Sequence, residues 1–309
     1  MGSGLTAREL YVVKRPYVFT GVDSDRDKAV FLILGVPLDT TASYRSGQRF
    51  APLSIREASI NIEPNAYSFE GFLEPTFIYD EGDLVVAHGD ISESLERLSD
   101  VVEELAGEGK KLAVIGGEHI VSFGVARGLK RAGYKPCLVV FDSHLDLRSD
   151  YLGVRYSHAC VIMRILEALG ETRVAYVGVR AYSEEEISFA RGKPSIHITH
   201  ARSVEAMGLA NIVASVRRHL SGCEHIYITI DMDVFDPSYA PGVGNPEPAG
   251  LTPREALPLI ASIADERVIA IDVVEVTPPF DVGGVTSILA AKALQEAIIA
   301  SIQSSGRPR

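Results

Sequence analysis

Cys137-Leu138-Val139-Val140-Phe141-Asp142-Ser143-His144-Leu145-Asp146 is a five-residue apolar run followed at once by three ionisable side chains at alternate positions. An apolar run of this length, rich in β-branched and aromatic residues, is the pattern of a strand buried on both faces, as in a parallel sheet. An extended strand end would aim Asp142, His144 and Asp146 to one side. The pattern recurs along the chain. The run 225–230 leads into Asp231-Met232-Asp233, and the run 111–115 leads into Gly116-Gly117-Glu118-His119. Three strands therefore deliver four Asp and two His to one rim.

Working outward, further apolar runs at 29–36, 173–179 and 267–274 read as buried strands. Stretches 91–106, 121–131, 159–169, 204–219, 253–264 and 285–301 carry apolar residues at three- and four-residue spacing and read as helices. This alternation predicts an α/β fold, a mostly parallel sheet covered by helices on both faces. The chain contains no Pro/Ser/Gly-rich linker, low-complexity tract or fixed-period repeat. One domain over residues 1–309, with a short N-terminal extension at about 1–25, is the economical division. The polar, Gly-rich segments follow the strand ends, the side on which open parallel sheets build their sites.

The 309 residues carry a formal net charge of -11 and 46% hydrophobic residues. That supports a sizeable core and argues against phosphate-backbone or anionic-membrane partners, which need basic patches. Small or cationic ligands fit better. No uninterrupted apolar run of membrane-spanning length and no signal-peptide pattern is seen, so a cytoplasmic protein is expected. Cys137, Cys160 and Cys223 are an odd number without Cys-x-x-Cys spacing, which predicts buried thiols rather than a disulfide framework or zinc knuckle. Asn occurs only at positions 61, 65, 211 and 245 and Gln only at 48, 295 and 303, a depletion of the kind seen in heat-adapted proteins.

A lone Asp-x-Asp after a strand is commonly a turn or a helix cap, and a lone histidine a core residue. Six such residues on one rim are different. Four packed carboxylates repel and cannot all stay ionised without cations, whereas two divalent ions bring matching charge. Carboxylate-rich ligation with one imidazole per ion suits Mn²⁺, with Fe²⁺ possible, better than a structural zinc site.

Gly117-Glu118-His119, Asp142-Ser143-His144-Leu145-Asp146, Asp231-Met232-Asp233 and Asp272-Val273-Val274-Glu275 resemble, in this order, the signatures of the ureohydrolases, the arginase and agmatinase family. Residues 44–59 resemble the family's Gly-x-Arg-x-x-Pro-x-x-Ile-Arg stretch, and Ala240-Pro241-Gly242-Val243-Gly244 also matches, so the likeness covers most of 30–300. It implies a three-layer α/β/α domain, commonly a trimer or hexamer, holding two Mn²⁺ per subunit. His119 and Asp146 would bind one ion and His144 and Asp233 the other, with Asp142 and Asp231 bridging. A hydroxide shared by the ions would attack a guanidinium carbon. Glu275 matches the family's carboxylate that forks onto the guanidinium nitrogens. His158 lies where the family carries its proton-shuttling histidine, although Ala159 follows it where many relatives have Gly, and Asp146 would steer the attack. The plainer alternatives are a strand-end ion pair for Glu275 and a helix N-terminal histidine for His158.

Asp236-Pro237-Ser238-Tyr239-Ala240-Pro241-Gly242 resembles the longer loop of agmatinases, which implies agmatine as substrate and urea and putrescine as products. Arg148 and Arg155 leave a carboxylate-bearing substrate open, formimidoylglutamate or guanidinobutyrate, unless they pair with acids such as Asp150. Asn245 falls in the substrate loop, and Glu247 could partner the amine of aminopropylagmatine. A single-zinc deacetylase is the nearest different chemistry, with Asp146 and Asp233 counting against it. A non-catalytic relative that binds guanidino compounds is the other alternative, and the complete ligand set counts against that.

Overall fold

The computed structural model describes residues 4–306. Among them, nine strands form one sheet: β1 (Val12–Val13), β2 (Phe31–Gly35), β3 (Ile78–Leu84), β4 (Lys111–Ile115), β5 (Cys137–Phe141), β6 (Val174–Val179), β7 (Ile196–His200), β8 (Ile226–Asp231) and β9 (Val268–Val274), in the order β1-β3-β2-β4-β9-β8-β5-β6-β7. Only the β1–β3 pairing is antiparallel. Parallel strands need long crossover connections, and α2 (Ala51–Ile60), α3 (Ile91–Gly107), α4 (Val121–Arg131), α5 (Val161–Leu169), α6 (Glu184–Arg191), α7 (Arg202–Met207), α8 (Leu209–His219) and α9 (Pro253–Ile263) lie between strands, while α1 (Ala7–Tyr11) precedes β1 and α10 (Val285–Ser304) follows β9.

The sheet separates two apolar cores. Ile55 of α2, Ile212 and Val216 of α8, Leu259 and Ile260 of α9 and Leu294 and Ile298 of α10 pack on one face. Leu98 and Val102 of α3, Val125 and Leu129 of α4 and Ile162 and Ile165 of α5 pack on the other. The expected three-layer α/β/α architecture is therefore observed. Helix starts follow local chemistry. Asp90 accepts the Glu93 amide at 2.9 Å, and capping boxes at Ser183/Glu186 and Thr252/Glu255 open α6 and α9.

Several expectations need correction. The helix expected over 204–219 is two helices, α7 and α8, divided at Gly208 with φ 75°. The stretch expected as helix over 159–169 begins with a 3₁₀ turn, His158–Cys160, before α5. Three strands went unread. β1 is only two residues long, β3 carries buried Asp80, Glu81 and Asp83, and edge strand β7 is half polar. The thiol expectation fails for two residues. Cys137 and Cys223 form a disulfide across 86 residues, linking the start of β5 to the approach to β8, and Cys160 is free and buried. The segment Val282–Ser304 has the length and mean hydropathy of a membrane span, yet 78% of that window is buried inside the protein, where α10 packs on α2, α9 and β9.

Candidate metal centre

β4, β9, β8 and β5 are consecutive in the sheet, and their carboxyl ends bring together the loops that sequence reading singled out. The convergence is local turn chemistry rather than strand extension. β5 stops at Phe141, and Asp142 turns back so that its Oδ1 accepts the His144 amide at 2.6 Å. Asp231 ends β8 and accepts the Asp233 amide at 2.9 Å across the 3₁₀ turn Met232–Val234. Asp233 in turn accepts the Ser143 amide at 3.1 Å, tying the β8 loop to the β5 loop. Asp146 sits at φ 50°, a left-handed conformation uncommon for a residue with a side chain.

These turns place His119 Nδ1 3.2 Å from each of three carboxylate oxygens, Asp142 Oδ2, Asp146 Oδ2 and Asp231 Oδ2. His144 Nδ1 lies 2.9 Å from Asp233 Oδ2 and 3.5 Å from Asp142 Oδ1. Asp142 thus belongs to both of two donor sets, His119/Asp142/Asp146 and Asp142/His144/Asp233, while Asp231 reaches His119.

The donors fit divalent cations. His119 Nδ1 and Asp142 Oδ2 are buried and aligned with no hydrogen-bond partner, in spite of the close oxygens. Orphaned buried polar atoms are costly unless something else satisfies them. Ligands about 2.1 Å from one ion at right angles stand roughly 3 Å apart, which matches the spacing seen here. Protonation tells the same story. Burial lowers both imidazoles, but the surrounding carboxylates outweigh it and hold His119 and His144 well above the ordinary histidine value. Burial and the neighbouring carboxylates push Asp231 well up and Asp146 up to about 6, whereas the two imidazoles overcome burial and hold Asp142 below the usual carboxylate range. Without cations the cluster can persist only by sharing protons.

A buried polar chain orients His119 from behind. Its Nε2 lies 3.0 Å from Thr229 Oγ1, and Ser122 Oγ links Thr229, at 3.2 Å, to Asp272, at 2.6 Å. The β8/β9 register, which pairs Thr229 with Asp272, makes this possible. With Nε2 engaged there, Nδ1 is the nitrogen that faces the carboxylates. Thr229, Ser122 and the role of Asp272 were not read from the sequence. The available signal was a Thr inside the otherwise apolar end of β8.

Gly117 is required by space rather than by a left-handed turn, since a Cβ there would fall 1.8 Å from Leu38 O. The close approach lets Glu118 N donate to Leu38 O at 2.7 Å and seats the β4 loop against the loop after β2. Glu275, just beyond β9, has φ 67° and donates its own N–H to Gly117 O at 2.8 Å. Its Oε1 accepts the His119 amide at 2.7 Å and its Oε2 accepts Gln48 Nε2 at 3.0 Å, so it is no surface ion pair.

Glu275, His158, Arg148 and Asn245 line, with His119, His144, Asp146, Asp231 and Asp233, one cavity of about 530 Å³; Asp142 is fully buried and is not part of its lining. His158 Nε2 stands 3.1 Å from Ser43 Oγ and 3.4 Å from Asn245 Nδ2. Arg148 pairs with Glu186 at 3.5 Å and lies over the Tyr151 ring, and exposed Arg155 pairs with Glu167 at 2.7 Å, so both arginines pair with acids, as the plainer alternative has it, the acids being Glu186 and Glu167 rather than Asp150. Arg180, unremarked in the sequence, gives its guanidinium to main-chain oxygens, among them those of Asp233 at 2.6 Å, Glu247 at 2.8 Å and Pro248 at 3.0 Å. It thereby fastens the loop carrying Asn245 to β6.

Residues 29–300 match the family model described as the Arginase family. The N(1)-aminopropylagmatine ureohydrolase of Thermococcus kodakarensis is 38% identical over 271 residues, covering 87% of this chain and 89% of that protein. The agmatinase of Bacillus subtilis is 32% identical over 288 residues, covering 93% and 97%. Among solved structures, the agmatine ureohydrolase of Thermoplasma volcanium superposes with a TM-score of 0.84 at 33% identity, covering 96% of this chain and 98% of that one.

Proposed function

The chain belongs to the arginase family, and from that premise we propose that it hydrolyses the guanidino group of agmatine, releasing putrescine and urea, with two Mn²⁺ ions bound by His119, Asp142, His144, Asp146, Asp231 and Asp233. The observation that carries this reading is the convergence of four carboxylates and two imidazoles, with Asp142 common to two donor sets. When bound, a pair of divalent ions supplies Lewis acidity that makes hydroxide available from water near neutral pH.

The chain's own residues do the rest. Each Glu275 oxygen accepts one protein hydrogen bond and keeps a lone pair, so the carboxylate can fork onto a planar guanidinium and hold its carbon at the ligand cluster. A water oxygen bonds to that carbon while Asp146 accepts a hydrogen bond from the attacking water, and the bond from carbon to the alkyl nitrogen breaks; as urea forms, one of the water's protons passes to the departing nitrogen and the other restores the proton that His158 gives up. His158 Nε2, facing the cavity between Ser43 and Asn245, gives the departing nitrogen its proton. The cavity favours a cation. Asp146, Asp231, Asp233, Glu186, Glu247 and Glu275 line it against two arginines, Arg148 paired with Glu186 and Arg180 spent on main-chain oxygens. A substrate carboxylate finds no free cation among the described lining residues.

One observation favours a second, longer substrate. The Glu247 carboxylate lines the cavity and makes no hydrogen bond or salt bridge among the described residues, which suits a second ammonium such as that of aminopropylagmatine. The test is urea release by the Mn²⁺-loaded protein from agmatine, aminopropylagmatine, arginine and guanidinobutyrate, with ammonia release from formimidoylglutamate followed alongside. Preference for agmatine supports the primary reading. Activity confined to a carboxylate-bearing compound would overturn it.

A further inference from the structure

Glu118 is fully buried, and no lysine or arginine pairs with it among the described residues. Its two oxygens each lie 3.0 Å from the backbone N–H of Thr41, and Oε2 also takes a hydrogen bond from the Thr41 hydroxyl. A carboxyl group that deep is costly unless hydrogen bonds satisfy it, and the Thr41 amide and hydroxyl supply them. The other side of the same Thr41 hydroxyl meets His158. Thr41 Oγ1 accepts the His158 backbone N–H at 3.1 Å and lies 3.3 Å from His158 Nδ1, while Glu118 Oε2 itself is 3.9 Å from that nitrogen.

A hydroxyl has one proton and two lone pairs. Here all three are engaged, one toward Glu118 and two toward His158. The His158 N–H would otherwise be an orphan donor at the start of the 3₁₀ turn His158–Cys160. The clamp holds the imidazole at its backbone and at Nδ1, which leaves Nε2 as the nitrogen directed to Ser43, Asn245 and the cavity. The ring is further flanked by Tyr151, edge-on at 6.0 Å. Glu118 is held in place by its amide, bonded to Leu38 O, across the close approach that Gly117 permits.

We propose that Thr41 is the positioning residue for His158, anchored by Glu118, and that it fixes which imidazole nitrogen meets the departing amine. Thr41 touches no substrate; it acts through His158. The inference rests on the reading of His158 as proton donor. The experiment measures kcat and KM across pH, metal content and melting temperature for the Mn²⁺-loaded full chain carrying Thr41→Val, Thr41→Ser, Thr41→Ala, His158→Ala and the double variant T41V/H158A.

Thr41→Val and Thr41→Ala are expected to lose at least tenfold in kcat, to change KM less than twofold and to displace the pH profile, with metal content unchanged. Thr41→Ser, which keeps the hydroxyl, stays within threefold of the parent. T41V/H158A is no slower than His158→Ala, because both changes remove one device. A hydroxyl-less variant with the parental kcat and pH profile overturns the proposal. Should Val fail to fold, Ala against Ser decides the matter alone. If His158→Ala keeps parental activity, the reading of His158 itself fails; if His158→Ala is impaired while Thr41→Val and Thr41→Ala are not, only the clamp fails.

Discussion

Glu275 Oε1 accepts the main-chain N–H of His119 at 2.7 Å, so the carboxylate that we assign to substrate is fastened to the backbone of a proposed metal ligand. The two ends of the reaction, guanidinium and ligand cluster, are thereby held at a fixed separation. Replacing Glu275 with Gln keeps the shape but removes the charge, and charge-assisted hydrogen bonds contribute about 1.5–3 kcal/mol each. Glu275→Gln should reduce kcat/KM by about 100-fold or more while metal content stays at the parental value. Parental kcat/KM would remove Glu275 from the site.

The protonation pattern of the metal-free cluster predicts an unusual pH dependence. Burial with like charge holds Asp146 up at about 6, burial holds Glu118 up at about 8, and Asp231 is also raised. A carboxyl whose folded value lies above its unfolded value binds more protons in the folded state. Its contribution is full below the unfolded value, near 4, and is lost as pH rises through the folded value. Asp142, held low, changes charge below this range, while His119 and His144, held high, act in the same sense as the raised carboxyls; His197, His200 and His219, lowered by burial at sites away from the cluster, act with the opposite sign. The chelated protein should therefore lose melting temperature steadily from about pH 5 to pH 8. Mn²⁺ should restore it by an increment that grows with pH, since ligands must be deprotonated to bind. A chelated protein that gains stability over this range would contradict the account.

The disulfide offers a separate test of what holds the two ligand-bearing strands. Cys137 and Cys223 lie at the opposite end of β5 and β8 from the candidate site and close a loop of 86 residues. In the chain-entropy treatment such a loop contributes about 4.5 kcal/mol. Cys137→Ser with Cys223→Ser should lower the melting temperature by roughly 10 °C, with kcat changed less than twofold. An unchanged melting curve would show that the two strands need no such tie.

The site was more legible than the fold that frames it, and the reasons are physical. Side chains that could hold a divalent ion at a carboxylate-rich strand end are Asp, Glu or His, so the proposed ligands Asp142, His144, Asp146, Asp231, Asp233 and His119 stand out by residue type. β3 does not, because Asp80 and Asp83 interrupt its apolar run and become strand residues only through Arg56, fully buried 27 residues before Asp83. The disulfide leaves no local trace, since its partners are joined only by the β5–β8 pairing. The left-handed backbone of Asp146 and Glu275 is equally silent, because both are side chains that ordinarily avoid it. Thr41 and Thr229, whose work is to aim other residues, look like any threonine until their neighbours are known.

Glu247 tests substrate length. If its open carboxylate meets a second ammonium, Glu247→Gln should raise KM for aminopropylagmatine about tenfold, the worth of one charge-assisted contact near 1.5 kcal/mol. KM for agmatine should change less than threefold. Equal changes for both substrates would leave Glu247 without a part in discriminating them.

The central claim is that this cluster holds two catalytic ions, and metal counting tests it most directly. The parental protein, stripped and reloaded with Mn²⁺, is predicted to retain two ions per chain and to release urea, and Asp233→Asn to retain fewer with activity reduced in proportion to the loss. One tightly bound zinc per chain, with deacetylase activity and no urea from any guanidino compound, would contradict it.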